Sequence, residues 1–196
     1  MNMQAWRHFY RGRLLEICKR SEAAIEAYRF ALQFDPRLAR AATALGYLYA
    51  RQTKYAEAER WLAEGTRLTP RNAAAWFNLG FAREVLGRRE HAIEAFAEAV
   101  RLDRLLDRAW YGMGMCHAAL GRHEEAAKAL EEAATLQPMN PYAWYQLGMA
   151  HHVLRNADKV KEVIEHLFRF DPKMTRKLIQ DTERSDLAHL VKDMLV

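Results

Sequence analysis

The chain has 196 residues, 51% hydrophobic and 28% charged, with a net charge of +5, so it carries enough apolar material for a continuous core. Met1 to Arg13 contain no apolar run of the secretory kind, and no stretch approaches the roughly 18 apolar residues of a membrane span, which argues against membrane insertion. Cys18 and Cys116 stand far apart, no disulfide is expected, and a reduced, cytoplasmic setting follows.

A short lead, residues 1–4, precedes a 34-residue unit that recurs five times without insertion, as 5–38, 39–72, 73–106, 107–140 and 141–174. Position 8 reads Gly12, Gly46, Gly80, Gly114, Gly148, and position 20 reads Ala24, Ala58, Ala92, Ala126, Val160. Position 24 reads Tyr28, Leu62, Phe96, Leu130, Ile164, and position 32 reads Pro36, Pro70, Arg104, Pro138, Pro172. A unit of this length buries its core only by stacking on its neighbours.

Each block reads as two helices, because Ala, Leu, Glu, Arg and Gln dominate it. Positions 4, 7, 8 and 11 fall on one face of the first helix, which packs against positions 20, 24 and 27 of the second. The small residues at positions 8 and 20 let the two backbones approach closely. In block one His8 and Arg11 depart from the apolar pattern, as an end unit with a single neighbour can. In blocks three and four Gly87 and Gly121 sit at position 15, where a left-handed cap would end the first helix. Asn72 and Asn140 are turn residues ahead of the next helix. Proline at position 32 ends the second helix, so Arg104 predicts a longer helix or a shifted turn between blocks three and four. Residues 175–196 leave the frame; Ser185 and Asp186 open a helix there whose stripe is Leu187, Leu190, Val191, Met194 and Leu195.

The frame resembles the tetratricopeptide repeat, with its Trp-x2-Leu-Gly-x2-Tyr, Ala-x3-Phe and Pro signature. Block three supplies Trp76, Leu79, Gly80, Ala92 and Phe96; block four Trp110, Gly114, Ala126 and Pro138; block five Trp144, Leu147, Gly148 and Pro172. Position 11, usually Tyr, is Leu15, Tyr49, Arg83, His117 and His151. The resemblance, to repeats of bacterial type, implies an all-α, right-handed superhelical solenoid of five antiparallel helix pairs with a C-terminal capping helix over 175–196.

It also implies that positions 2, 5, 9, 12 and 13 of the first helices line a concave groove. The groove is then rich in aromatics and Met: Phe9, Tyr47, Phe77, Phe81, Tyr111, Met115, Tyr145 and Met149, with polar contacts from Arg40, Asn78, Arg108 and His152. Exposed apolar surface of this kind marks interaction sites. The expected occupant is a peptide segment of a protein partner, apolar or amphipathic. Relatives that clamp a C-terminal carboxylate use Lys and Asn where the best register here has Thr43, Tyr47, Asn78, Arg108 and Gly112; only Asn78 and Arg108 fit, which disfavours that use. The alternative is a self-associating scaffold joined through its ends, with Trp6, Tyr10, Leu187, Val191 and Leu195 as candidates.

Residues 1–72 hold 13 basic and 7 acidic side chains, 73–140 hold 8 and 10, and 141–196 hold 9 and 8. The basic first blocks read as a solvated arginine-rich face or as an electrostatic lure for an acidic segment. No polar base-reading pair recurs per unit, which argues against nucleic acid. His117 and His151 share a repeat position, but no thiol or carboxylate recurs with them at ligand spacing, so no metal is expected. There is no phosphate loop and no nucleophile with a positioned base. No cofactor and no enzymatic activity are predicted.

Overall fold

The computed structural model describes residues 2–191, and no strand occurs among them. The chain divides into two compact units, Met1–Asp103 and Arg104–Val196, within the turn that joins blocks three and four.

The first unit holds α1 (Met3–Ile17), α2 (Ser21–Phe34), α3 (Ala39–Arg51), α4 (Tyr55–Leu68), α5 (Ala73–Val85) and α6 (Arg89–Leu102). Each helix packs on its successor, and α3 also touches α5. The second unit holds α7 (Asp107–Ala119), α8 (His123–Leu136), α9 (Pro141–Val153), α10 (Ala157–Phe168), α11 (Pro172–Asp181) and a 3-10 helix (Ser185–Val191). There α7 to α10 pack in succession, and α11 packs on both α9 and α10.

The position-8 glycines act as expected. A Cβ on Gly12, Gly46 or Gly80 would stand 2.6 Å from Tyr28, Leu62 or Phe96, and on Gly114 2.7 Å from Leu130. These are the position-24 side chains, so each helix pair closes over a missing methyl. Block five breaks the rule: Gly148 faces Leu178 of α11 at 2.7 Å. Buried Ile164 still belongs to the unit's core, but α11 has taken the place against the glycine.

The turn inside each block is uniform although its sequence is not. Position 15 is left-handed in all five blocks, at Lys19 (φ 58°), Thr53 (60°), Gly87 (75°), Gly121 (75°) and Arg155 (57°). The following N–H reaches back to the position-11 carbonyl, as from Arg20 to Leu15 at 2.9 Å and Asn156 to His151 at 2.9 Å. This is the Schellman closure, which satisfies carbonyls left over at the helix end.

The turns between blocks are equally regular, and Arg104 does not disturb its own. Helix α6 ends at Leu102 and α7 begins at Asp107, the same gap as between α2 and α3 or α4 and α5. The second helix stops two residues ahead of position 32 in blocks one to four, so proline is not what ends it. Asp103 (φ −139°, ψ 95°) is as extended as Asp35 (φ −144°, ψ 93°). The next block's tryptophan then ties the turn: Nε1 of Trp76, Trp110 and Trp144 donates to the carbonyls of Pro70, Arg104 and Pro138 at 2.9, 3.0 and 2.9 Å.

The C-terminal reading needs correction. Pro172 does not close a helix but opens α11, because Asp171 accepts the Met174 N–H at 2.8 Å and proline suits the first helical turn. The segment from Ser185 is a 3-10 helix whose Leu187 and Val191 are buried in the core of the second unit. Met194 and Leu195 lie outside the described residues. Both cysteines are free; Cys116 is buried, whereas Cys18 is exposed because it caps the C-terminus of α1. No helix among the described residues is long and apolar enough to cross a membrane.

Candidate functional site

The first unit carries a groove of about 780 Å³, lined by α1, α3, the 69–72 turn and α5. Phe9, Tyr10, Ala44 and Tyr47 make its apolar walls; Arg13, Glu16, Arg40, Arg71, Asn72 and Asn78 make its polar ones. Tyr47 is 41% exposed, with the Arg51 guanidinium 5.9 Å from its ring centre. Phe9 is buried and forms part of the floor, 5.8 Å from Tyr28 and edge-on to Trp6. Arg40 is exposed and lies over the Trp6 ring at 5.8 Å.

One substitution in the repeat accounts for the hollow. Position 5 is an aromatic in four blocks, Phe9, Phe77, Tyr111 and Tyr145, but Thr43 in the second. Opposite it α4 carries Gly65, and a Cβ there would stand 2.5 Å from Thr43 Oγ1. Two small residues at one crossing draw α3 and α4 together and leave the volume of a missing ring beside them. The Thr43 hydroxyl oxygen is buried with no hydrogen-bond partner.

Of the groove residues read from the sequence, Phe9, Arg40, Tyr47 and Asn78 line this hollow. Phe81 does not: it is 40% exposed and stands edge-on to Tyr55 at 6.0 Å. Phe77 is half-buried, 6.0 Å from Phe96. Tyr10, Ala44, Thr69, Arg71 and Asn72 are groove residues the sequence reading missed. Position 6 supplies Tyr10, Ala44 and Asn78, which was a readable pattern; the 69–72 turn comes into play only once α5 has packed.

In the second unit the equivalent side chains are engaged differently. Tyr111, Tyr145 and Met149 are half-buried against that unit's core. Met115 is half-buried as well, and Arg108 is exposed. Tyr145 donates its hydroxyl to Asp181 Oδ2 at 2.6 Å, and Lys177 Nζ sits 4.8 Å from its ring centre. Burial and that carboxylate push the Tyr145 phenol up to about 12. Helix α11 therefore occupies the face that Tyr145 would have offered. His152 borders a separate cleft of about 250 Å³ with Arg155, Val160 and Arg184.

Among the self-association candidates, Tyr10 is 60% exposed, while Trp6 is half-buried against the first unit's core. Leu187 and Val191 are corrected to intramolecular packing, since their side chains face the core beneath α11. Leu195 lies outside the described residues. His117 and His151 keep a buried Nδ1 without a hydrogen-bond partner, and burial lowers the pKa of both rings. No group of three or more potential metal ligands occurs among the described residues.

Two family models match parts of the chain, one described as tetratricopeptide repeat over residues 73–105 and one as TPR repeat over 116–154. No curated protein matches it in sequence. Similar solved structures include a MamA protein, 21% identical, covering 95% of this chain and 98% of that one with a TM-score of 0.77. YrrB, described as a TPR protein with an unusual peptide-binding site, is 23% identical, covers 90% of each chain and has a TM-score of 0.80. Pilf of Pseudomonas aeruginosa is 18% identical, with 98% of this chain and 90% of that one covered and a TM-score of 0.70. The shared fold is the all-α helical-repeat solenoid. With a 34-residue frame folded as helix pairs and repeat models matching over residues 73–105 and 116–154, the chain carries tetratricopeptide repeats.

Proposed function

We propose that this protein is an interaction scaffold whose first unit holds a peptide segment of a partner protein. The observation that carries the reading is the groove of about 780 Å³, walled by first-helix side chains with the Tyr47 ring partly exposed in it. Such a hollow suits a segment laid along it, with one apolar side chain seated between Tyr10, Ala44 and Tyr47. The peptide-binding site described for YrrB, a protein of similar fold, supports the same use. Tyr47→Ala should weaken binding of a partner peptide at least about tenfold, the usual loss for an aromatic anchor, and leave helicity unchanged. Unchanged affinity for the Tyr47→Ala protein would refute the assignment of the groove.

A second reading rests on α1. Met3, Tyr10, Leu14 and Ile17 are 79%, 60%, 62% and 73% exposed and are spaced by seven, four and three residues, a helix–helix seam interrupted at Arg7. Association of two copies through this stripe is the expected alternative. Sedimentation across a concentration series tests it: a wild-type mass that doubles and a Leu14→Glu mass that does not would favour it, and a wild-type monomer throughout would remove it.

A further inference from the structure

The groove in the first unit is not electrically neutral, and its charges are not balanced internally. Three arginines line it, Arg13, Arg40 and Arg71, against one carboxylate, Glu16. Glu16 is already committed. Its Oε2 accepts the Tyr28 hydroxyl at 2.8 Å and pairs with Arg13 Nη1 at 3.5 Å. That accounts for Arg13. Among the described residues neither Arg40 nor Arg71 has an ion pair, and the Arg40 guanidinium lies over the Trp6 ring. Both are exposed. Asn72 adds its side-chain NH2 as a donor, while its Oδ1 already accepts the Ala75 N–H at 3.1 Å. The surrounding unit has the same sign: residues 1–103 carry 17 basic and 12 acidic side chains. An open hollow with two unmatched guanidinium groups and an apolar wall asks for carboxylates beside an apolar side chain.

We infer that the groove selects an acidic peptide segment, held by side-chain carboxylates on Arg40 and Arg71 and by an aromatic or aliphatic side chain against Tyr47. This rests on the groove being the peptide site. It adds the chemistry of the occupant. Neither arginine requires a free chain end, so an internal segment serves as well as a terminal one. A polynucleotide is the less suitable anion, because it binds through a long row of phosphate contacts whereas this hollow offers two free cations beside apolar walls.

The test starts from a random dodecapeptide display library panned on wild-type protein and on Tyr47→Ala. Recovered sequences are then synthesised with amidated C-termini and measured by fluorescence anisotropy. Each is compared with a counterpart in which Asp and Glu are replaced by Asn and Gln, on wild type, Arg40→Gln and Arg71→Gln. Both arginines are exposed, so these variants should fold; circular dichroism verifies it. Peptides enriched on wild type should carry excess Asp and Glu around an aromatic or aliphatic residue. Each arginine substitution should weaken the acidic peptide about fivefold, as exposed ion pairs do, and leave the amide counterpart unchanged. Equal affinity for acidic and amide peptides, with loss on Tyr47→Ala, would overturn the charge selection while keeping the groove. Recovery of the same peptides on wild type and Tyr47→Ala would overturn both. A labelled oligothymidine displacing the acidic peptide at lower concentration than the peptide itself would also overturn the inference.

Discussion

Replacing Gly65 by Ala probes the crossing that opens the groove. The added Cβ would sit 2.5 Å from Thr43 Oγ1, with Thr43 N and Cα behind it at 3.3 and 3.4 Å. The hydroxyl cannot rotate away freely, since a β-branched side chain in a helix has few χ1 options. The two helices must part by the better part of an ångström, and overpacking of this kind costs about 2–3 kcal/mol. Against this, Ala in place of Gly within a helix gains about 1 kcal/mol. The net expectation is a loss of about 1–2 kcal/mol. Thr43→Ala removes the 2.5 Å contact and the orphaned hydroxyl together, leaving backbone contacts that need only a small adjustment. In that background Gly65→Ala should be neutral or stabilising, so the two substitutions should couple by about 1–3 kcal/mol. Urea unfolding followed at 222 nm on the four proteins of the cycle measures this. Additive effects would show that α3 and α4 do not approach closely at Thr43 and Gly65, and the explanation of the hollow would fall with it.

Other outcomes follow from the same geometry. Thr53→Gly should stabilise by about 1 kcal/mol in thermal or urea melts, because a β-branched residue now holds a left-handed position (φ 60°) that Gly87 holds without strain. Trp110→Phe should cost about 1 kcal/mol by the loss of its bond to the Arg104 carbonyl, more than a surface substitution would. Glu59→Gln should cost about 2 kcal/mol, since this largely buried carboxylate pairs with both Arg83 and Arg88. Stability should fall as pH drops below about 6.5, because His117 and His151 are held neutral by burial and the unfolded chain takes up their protons first. His117→Gln with His151→Gln should flatten urea midpoints between pH 7 and 5; an unchanged slope would assign the loss to other groups.

The repeat frame was legible because close packing leaves a mark in side-chain size. Gly12, Gly46, Gly80 and Gly114 each face the position-24 residue that the frame pairs with them. Backbone shape was less legible. Lys19, Thr53 and Arg155 take the same left-handed turn as Gly87 and Gly121, because the Schellman bonds recover more than the residue's own preference costs. Arg104 misled for a related reason: the turn depends on extended Asp103 and on the Trp110 indole, both present without proline. The site was legible in part. Arg40, Tyr47 and Asn78 follow from helix periodicity, whereas Arg71 and Asn72 reach the groove only through the turn between two blocks. The sign that mattered most was an absence, Thr43 where four blocks carry a ring.

The two units then differ in what their first helices can offer, and α11 is the reason. In the second unit Asp181 and Lys177 are brought to Tyr145, so this ring serves its own chain. The phenol stays protonated at neutral pH, raised to about 12 by burial and by the carboxylate it serves, and remains a donor. Tyr145→Phe deletes that bond to a charged acceptor, worth about 1 kcal/mol at a site this open to solvent. Because the bond joins α9 to α11 alone, its loss should accelerate hydrogen exchange at the amides of α11, Leu178 among them, and leave α7 and α8 as protected as before. Exchange that rises equally through the whole unit would mean that Tyr145 is a general core residue and that α11 is held by Leu178 and Ile179 without it. Selective exchange would leave the hollow beside Tyr47 as the open first-helix surface and the face of Tyr145 as a covered one.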